Sequence, residues 1–288
     1  MSNPDQRQRL LFDDLAIRGE LVGLEQTYQD VLKQHPYPKP LQQLLGEFMA
    51  AVTLLSNTLK FEGILSLQAR GAGQARLVMA EIQNQEQLRA IAQYNDDFVD
   101  SGAILGEGTL AITIDPKVGK RYQGIVSLRD HGLAAALEDY FLQSEQIRTR
   151  IWLAADGKRA SGMLLQALPG SASQSSLEAD ADGWDRVTQL AATITDAELL
   201  ELDNESMLYR LFHEEVVRTY SPTDVWFQCT CSRERSANAV YSLGIESARE
   251  VIAQDGVVQV DCQFCHAKYN FNQDDVEQLF ADANKHLN

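Results

Sequence analysis

Four cysteines, the only ones among 288 residues, are the side chains in this sequence best suited to chemistry. Cys229 and Cys231 enclose one residue; after 30 further residues, Cys262 and Cys265 enclose two. Two short chelating loops that converge on one ion have this arrangement, and four thiolates complete a tetrahedral zinc site. We therefore predict that these four cysteines bind one zinc ion.

The one-residue spacing of the first pair allows a second kind of chemistry. A disulfide across one residue closes a very small ring, departs from relaxed geometry and is easily reduced. From the residues alone, three interpretations compete: a structural zinc clip, a reversible thiol switch and a thiol–disulfide oxidoreductase. The oxidoreductase is the least favoured because its Cys-x-x-Cys normally lies at a helix start in a βαβ setting.

No conventional catalytic set accompanies the cysteines. The sequence has neither Gly-x-Ser-x-Gly nor His-Glu-x-x-His, and no cysteine–histidine nucleophile pair with a defined third member. His213 is typical of a histidine on a helix face. His266 directly follows Cys265 and is a possible competing metal ligand, although four cysteines already complete the site. We predict that the protein is not an enzyme.

Charge and hydropathy limit the partners and the compartment. The net charge of −16 argues against nucleic acid, whose binding depends on neutralising phosphates with lysine and arginine. The first eight residues are polar and do not resemble a secretory signal. No apolar stretch is long enough to cross a bilayer. These features predict a cytoplasmic protein, in which cysteines stay reduced.

The pattern of apolar residues predicts an α+β protein in three parts. Residues 1–170 alternate strand-like and helical segments, typical of an antiparallel β-sheet flanked by helices; an apolar stripe over 41–59 marks the clearest helix. Residues 171–224 form an acidic helical linker. Residues 225–288 form a small zinc-binding module, at a size where a hydrophobic core alone is usually insufficient.

The linker carries half of the protein's excess charge. Between Glu178 and Arg218 there are 11 acidic residues and 3 arginines, and the composition of residues 169–176 is that of a flexible connection. The helices here have apolar faces but like charges on their outer faces. One interpretation is an ordinary surface bundle; the other is a marginally stable segment that folds only while docked on the main domain.

The free energies of zinc binding and of unfolding make a metal-gated switch physically reasonable. Structural zinc contributes about 10–16 kcal/mol of apparent binding free energy to small modules, whereas whole domains are stable by about 5–15 kcal/mol. Oxidation of the thiolates removes the ligands, so the module can unfold and destabilise any segment whose folding depends on it. Newly exposed apolar faces in a strongly acidic chain are what a holdase for unfolding proteins needs.

Several motifs resemble one known family. Residues 211–215 read Leu-Phe-His-Glu-Glu, residues 229–235 read Cys-Thr-Cys-Ser-Arg-Glu-Arg, and residues 260–265 surround the second cysteine pair. Upstream, residues 35–38 and 140–146 continue the match. With these motifs the chain resembles the bacterial redox-regulated heat-shock chaperones of thirty-three kilodaltons, over essentially its whole length. His266 departs from the family pattern, and the acidic segment matches less well.

The resemblance implies a specific cycle. The reduced protein would hold zinc on the four cysteines and be inactive. Oxidants would join Cys229 to Cys231 and Cys262 to Cys265, release zinc and unfold the module and the linker. The protein, typically a homodimer when active, would then hold unfolding client proteins without ATP and pass them to ATP-driven chaperones. The alternative is a constitutive zinc-stabilised interaction module without redox switching.

Overall fold

The protein is represented by a computed structural model that describes residues 4–58, 62–99, 103–128, 132–168 and 182–285. The predicted α+β class, with antiparallel sheets and helices, is confirmed.

The chain folds as two compact units, Met1–Gln228 and Cys229–Asn288. The finer division at residues 170 and 224 stays a prediction, and the connection predicted at 169–176 lies outside the described residues.

Twelve strands of the described part of the first unit form two six-stranded sheets, rather than the single sheet expected from the sequence. Sheet A has the order β10–β1–β2–β9–β8, with β11 also paired to β1; sheet B has the order β12–β5–β4–β3–β6–β7. The strands are β1 (Gln6–Phe12), β2 (Ile17–Leu24), β3 (Gly63–Gly71), β4 (Ala75–Gln83), β5 (Gln87–Tyr94), β6 (Gly108–Pro116), β7 (Tyr122–Leu128), β8 (Thr149–Ala155), β9 (Ala160–Ala167), β10 (Val217–Thr219), β11 (Thr223–Asp224) and β12 (Trp226–Phe227).

The predicted long helix is the central element of this unit. It runs as α2 (Lys39–Thr58), after the short α1 (Gln26–Leu32), and contacts strands of both sheets. Its apolar face supplies Leu41, Leu45, Phe48, Met49, Val52 and Leu55 to the main core. Gly46 allows the close approach to sheet A, because a Cβ there would lie 2.6 Å from the Cβ of Ala155.

A further helix also packs against the sheets. This helix, α3 (Gly132–Tyr140), continues directly as a π-helical turn (Phe141–Glu145) and ends at Gln146, which has a left-handed backbone with φ of 57°. It contacts β7 of sheet B and β8 of sheet A. Like α2, it therefore joins the two sheets.

The acidic segment is docked on sheet A, on the face opposite α2. Its helices are α4 (Gly183–Ala191), α5 (Asp196–Glu201) and α6 (Asn204–Phe212). They share a second core with apolar side chains of β1, β2, β8 and β9. Sheet A is therefore buried on both faces, and β9 has no exposed side chain from Ala160 to Gln166. Apolar side chains of β1 and β2 depend on these helices for burial: Leu10, Phe12, Ile17 and Leu21.

Polar contacts refine this docking but stay at the surface. Thr195 and Glu198 form a capping box at the start of α5, and Asp203 caps α6 through the backbone N–H of Ser206. Arg186 donates two hydrogen bonds, of 2.7 and 3.1 Å, to the carboxylate of Glu215. Exposed ion pairs contribute at most about 1 kcal/mol each. The apolar contacts therefore dominate the attachment of the segment.

After α6 the chain follows the edges of both sheets. Strands β10 and β11 pair with β1, and β12 then pairs in parallel with β5. Val225, between β11 and β12, is 1% exposed and belongs to the main core. The backbone N–H of Gln228 donates to the carbonyl of Leu88 at 3.0 Å, and the next residue is Cys229. The acidic helices are thus joined to the first cysteine by an extended, edge-paired segment.

The second unit has a smaller core. It consists of α7 (Arg233–Leu243), α8 (Ile245–Asp255), the hairpin of β13 (Val258–Asp261) and β14 (Lys268–Phe271), and α9 (Gln273–Lys285). Its described core contains five fully buried apolar side chains: Val240, Ala248, Val258, Phe271 and Val276. A core of this size is weak support for an independent unit. None of the helices in the described residues is long and apolar enough to span a membrane.

We predict that Phe212→Ala detaches the acidic helices from sheet A. Phe212 is 2% exposed and its ring meets that of Phe12 edge to face at 5.1 Å, so its loss costs about 3–5 kcal/mol. The rate of thermolysin cleavage within residues 183–212 should rise in the reduced protein. The matched control is Tyr209→Ala on the same helix, where the side chain is 73% exposed; equal cleavage of the two variants would contradict apolar docking.

We predict that docking of the acidic helices weakens as pH rises through about 7. Burial, followed by the negative charge of Asp196 at the start of α5, raises the pKa of Glu47 on α2 to about 7. Because this pKa is higher in the folded state than in the unfolded state, the stabilisation is fully present below about pH 4.3 and is lost as Glu47 ionises.

Urea denaturation of Glu47→Gln at several pH values tests this assignment. Relative to the unsubstituted protein, the variant should gain stability at pH 8 and show a flatter profile between pH 5 and 8. Glu20, whose pKa burial also raises to about 7, contributes equally to both profiles. Glu201→Gln on the exposed side of α5 should leave the profile unchanged. Parallel profiles for Glu47→Gln and the unsubstituted protein would refute this role of Glu47.

Candidate metal centre

The structure brings the four cysteines together. Their Sγ atoms all lie within 4.8 Å of one another. The Sγ atoms of Cys229 and Cys262 are 3.5 Å apart, as are those of Cys231 and Cys265. A tetrahedral zinc ion with Zn–S bonds of about 2.3 Å requires sulfur–sulfur separations of about 3.8 Å. The cluster therefore has the size and the soft donor atoms that suit such an ion.

The first pair is held by the start of α7. The hydroxyl of Ser232 accepts the backbone N–H of Arg235 at 3.2 Å and so caps this helix. The guanidinium of Arg235 folds back onto Thr230, between the two cysteines, and donates to its carbonyl oxygen at 2.9 Å and its hydroxyl at 2.8 Å. The Ser-Arg-Glu-Arg sequence that follows the cysteines therefore fixes the shape of the Cys-x-Cys loop.

Arg233 joins this loop to the rest of the second unit. It donates to the carbonyl oxygen of Asn270 at 2.7 Å and pairs with the carboxylate of Asp275 at 2.8 Å. Its guanidinium also lies 4.5 Å from the ring centroid of Phe271. One side chain thus contacts both β14 and α9, which are the elements that follow the second cysteine pair.

The second pair lies in the loop between β13 and β14. The backbone N–H of Cys262 donates to the carbonyl of Ala267 at 2.9 Å, and that of His266 donates to the carbonyl of Cys262 at 2.8 Å. This tight turn gives His266 a φ of 57°, in the left-handed region that glycine prefers. Glycine would therefore suit this position of the turn better than histidine does.

His266, the possible competing ligand, and His213 both lie outside the cluster of possible metal ligands. Among the described residues, the group that can hold a metal ion contains the four cysteines and does not include His266. His213 belongs to the first unit, where it caps the end of α6 with its ring centroid 5.7 Å from that of Tyr209.

Tyr269 is a residue of the site that sequence reasoning missed. Its hydroxyl donates to the Sγ of Cys231 at 3.1 Å, across 38 residues of sequence. This hydrogen bond raises the pKa of Tyr269 to about 12. The only available sequence signal is an aromatic residue in the strand that follows the second cysteine pair, and this signal is equally typical of core packing.

The thiols differ in their electrostatic surroundings. Burial raises the pKa of Cys229 and of Cys265, because a buried thiolate loses hydration. Burial acts in the same direction on Cys231, but hydrogen bonds from Tyr269 and the neighbouring thiols outweigh it and lower the pKa of Cys231. Four thiolates this close repel one another strongly, so a bound divalent cation is what allows all four to ionise.

Comparisons with known proteins identify the family. The family model described as Hsp33 protein matches residues 5–272. A protein named 33 kDa chaperonin from Pseudomonas paraeruginosa is 50% identical, with 98% of this chain and 97% of that protein aligned. A 33 kDa chaperonin from Azotobacter vinelandii is also 50% identical, over 98% of this chain and 96% of its own length.

A solved structure shares the fold. The crystal structure of the 33 kDa chaperonin from Thermotoga maritima matches with a TM-score of 0.80 and 19% identity, covering 98% of this chain and 100% of that one. The fold and the sequence relatives thus define the class as that of the 33 kDa chaperonins, which are molecular chaperones. The chain belongs to the Hsp33 family, and the resemblance drawn from its motifs is confirmed.

We predict that His266→Gly stabilises the second unit by about 1 kcal/mol, because glycine adopts the left-handed conformation without the steric cost of a Cβ. Urea denaturation of the zinc-loaded protein measures the change. Gly256→Ala provides a matched control of opposite sign, since Gly256 has φ of 78° and its Cβ would meet no atom within 4 Å. Destabilisation by His266→Gly would show that the histidine side chain outweighs the backbone strain.

Proposed function

We propose that this protein is a zinc-gated holdase: a chaperone that holds unfolding proteins without ATP after oxidants have removed its metal. In this proposal Cys229, Cys231, Cys262 and Cys265 bind one zinc ion in the reduced, inactive protein. The observation that carries the proposal is the four-thiol cluster in a unit with only five buried apolar residues in its described core. Membership of the Hsp33 family supports the chaperone class.

Zinc supplies stabilisation rather than a reaction step. Each thiol pair loses two electrons to an oxidant such as a peroxide: one sulfur–sulfur bond forms, the oxygen–oxygen bond breaks, and the oxygens leave as water after taking up protons. The proposed disulfides join Cys229 to Cys231 and Cys262 to Cys265. A disulfide sulfur is a far poorer metal ligand than a thiolate, so oxidation releases the ion.

Loss of the metal propagates along the chain in this proposal. The unit that begins at Cys229 unfolds, because zinc contributes about 10–16 kcal/mol to modules of this kind. The preceding segment, paired to the edges of β1 and β5, loses its ordered end. The acidic helices then separate from sheet A, helped by repulsion among their carboxylates.

Separation of α4–α6 uncovers a defined apolar surface. On sheet A it includes Leu10, Phe12, Ile17, Leu21, Met163 and Leu165, all of which pack against these helices. The helices expose their own apolar faces at the same time. Both surfaces suit the apolar segments of unfolding clients. We place the protein in the cytoplasm, as a homodimer when active, with transfer of clients to ATP-driven chaperones after reduction.

Two other functions make different predictions. A thiol–disulfide oxidoreductase fits the site poorly, because the Cys-x-x-Cys lies in a β-hairpin loop rather than at a helix start. Such an enzyme would catalyse the reduction of insulin disulfides. A constitutive zinc-stabilised interaction module fits the cluster but would retain its zinc and its activity unchanged in peroxide.

We predict that peroxide treatment releases zinc and activates the protein. Release is followed with a chromogenic chelator, and activity by light scattering of a heat-unfolding client. Cys265→Ser, which removes one ligand, should show partial activity without oxidant. Ser242→Ala on α7, where the hydroxyl donates to the carbonyl of Asn238 of its own helix, should behave like the unsubstituted protein. Equal client protection by reduced and oxidised protein would refute the switch.

A further inference from the structure

The hydroxyl of Tyr269 contacts one of the four sulfurs directly. Tyr269 lies in β14 opposite Val260, and its ring packs against the core of the second unit. From this supported position the hydroxyl donates to the Sγ of Cys231 at 3.1 Å. The bond joins the first cysteine loop to the hairpin that carries the second pair, without passing through the metal.

This donor differs in kind from those at neighbouring sulfurs. The Sγ of Cys229 accepts the backbone N–H of Cys231, and the Sγ of Cys265 accepts the backbone N–H of Ala267. Backbone donors are fixed by the turns themselves. At Cys231 a side-chain hydroxyl makes the contact, so the removal of one oxygen atom deletes this hydrogen bond and leaves the backbone donors in place.

We propose that Tyr269 is a positioning residue that restrains the reaction of Cys231 with peroxide and so sets the oxidant level at which the switch operates. This inference rests on the proposed function. Oxidation begins when a sulfur lone pair attacks a peroxide oxygen: the S–O bond forms, the O–O bond breaks and hydroxide leaves. An O–H···S hydrogen bond withdraws electron density from the sulfur and occupies its surface, which slows this attack.

The second step forms the disulfide. The sulfenic acid formed on Cys231 is attacked by the thiolate of Cys229, the S–S bond forms and hydroxide leaves. One peroxide is therefore consumed for each disulfide. Tyr269 donates a hydrogen bond but is not a reactant in either step, so its removal should change the rate of oxidation without changing the product.

The test uses the full-length, zinc-loaded protein carrying Tyr269→Phe. Stopped-flow measurement with a chromogenic chelator should show peroxide-driven zinc release about two- to tenfold faster than in the unsubstituted protein, the range expected for one hydrogen bond. The matched control is Tyr241→Phe in the same unit, where the ring stacks on Phe280 and the hydroxyl makes no hydrogen bond to any described residue. This control should release zinc at the unsubstituted rate.

Two further measurements distinguish a specific effect on the reactivity of Cys231 from a general loss of structure. Zinc release driven by excess chelator without peroxide should accelerate less than the peroxide-driven release, whereas a loosened site would accelerate both equally. With cobalt(II) as the probe metal, the thiolate-to-metal charge-transfer band should move to lower energy in Tyr269→Phe. Incorporation of 3-fluorotyrosine at position 269, which retains a donor hydroxyl, should restore both the slow rate and the band position.

The outcomes distinguish this inference from the proposed function. An unchanged peroxide rate or an unmoved cobalt band in a folded Tyr269→Phe protein overturns the role of Tyr269, even if oxidation still activates the chaperone. Equal acceleration of the peroxide-driven and chelator-driven rates also overturns it, in favour of a structural role. If peroxide releases no zinc from the unsubstituted protein, the proposed function itself fails.

Discussion

In the proposed function, four thiolates that share one cation are the interaction on which the second unit depends. The second unit has a small apolar core, and the loops that carry its cysteines are shaped by Arg235, Arg233 and tight backbone turns. These contacts arrange the sulfurs, but bringing four negative charges within 4.8 Å of one another requires a compensating ion. In the proposed function, the thiolates that stabilise the unit therefore also make it sensitive to oxidants, which remove electrons from sulfur.

In the proposed function, the first unit converts the loss of that ion into a change of its exposed surface. Sheet A is covered by α2 on one face and by the acidic helices on the other. The α2 side is continuous with a core that also includes sheet B, whereas the acidic helices bury only one apolar face and carry many like charges. Burial of apolar side chains favours their attachment, whereas repulsion between carboxylates opposes it. Glu47 and Asp196 are an example of this repulsion, because the charge of Asp196 helps to raise the pKa of Glu47. We therefore propose that these helices separate from sheet A before the sheet itself unfolds.

The sequence predicted the features that depend on local pattern. Cysteine spacing identified the cluster, and the apolar stripe over 41–59 identified α2. The second sheet was not predicted, because β1 opens with the polar run Gln6-Arg7-Gln8-Arg9 and the inward positions of β5 include Ala90 and Ala92, which lack the β-branched side chains typical of strands. The contact between Tyr269 and Cys231 spans 38 residues, and no local pattern encodes it.

The most direct test of the central claim is hydrogen exchange of the backbone amides before and after peroxide treatment. The account predicts that oxidation removes protection from residues 229–285 and from α4–α6, while α2 and the central strands β3, β4 and β6 remain protected. Loss of protection throughout both units would mean that the metal stabilises the whole fold rather than the second unit and the acidic helices. Retained protection in α4–α6 of fully oxidised, zinc-free protein would contradict the coupling between the cysteine cluster and the acidic helices.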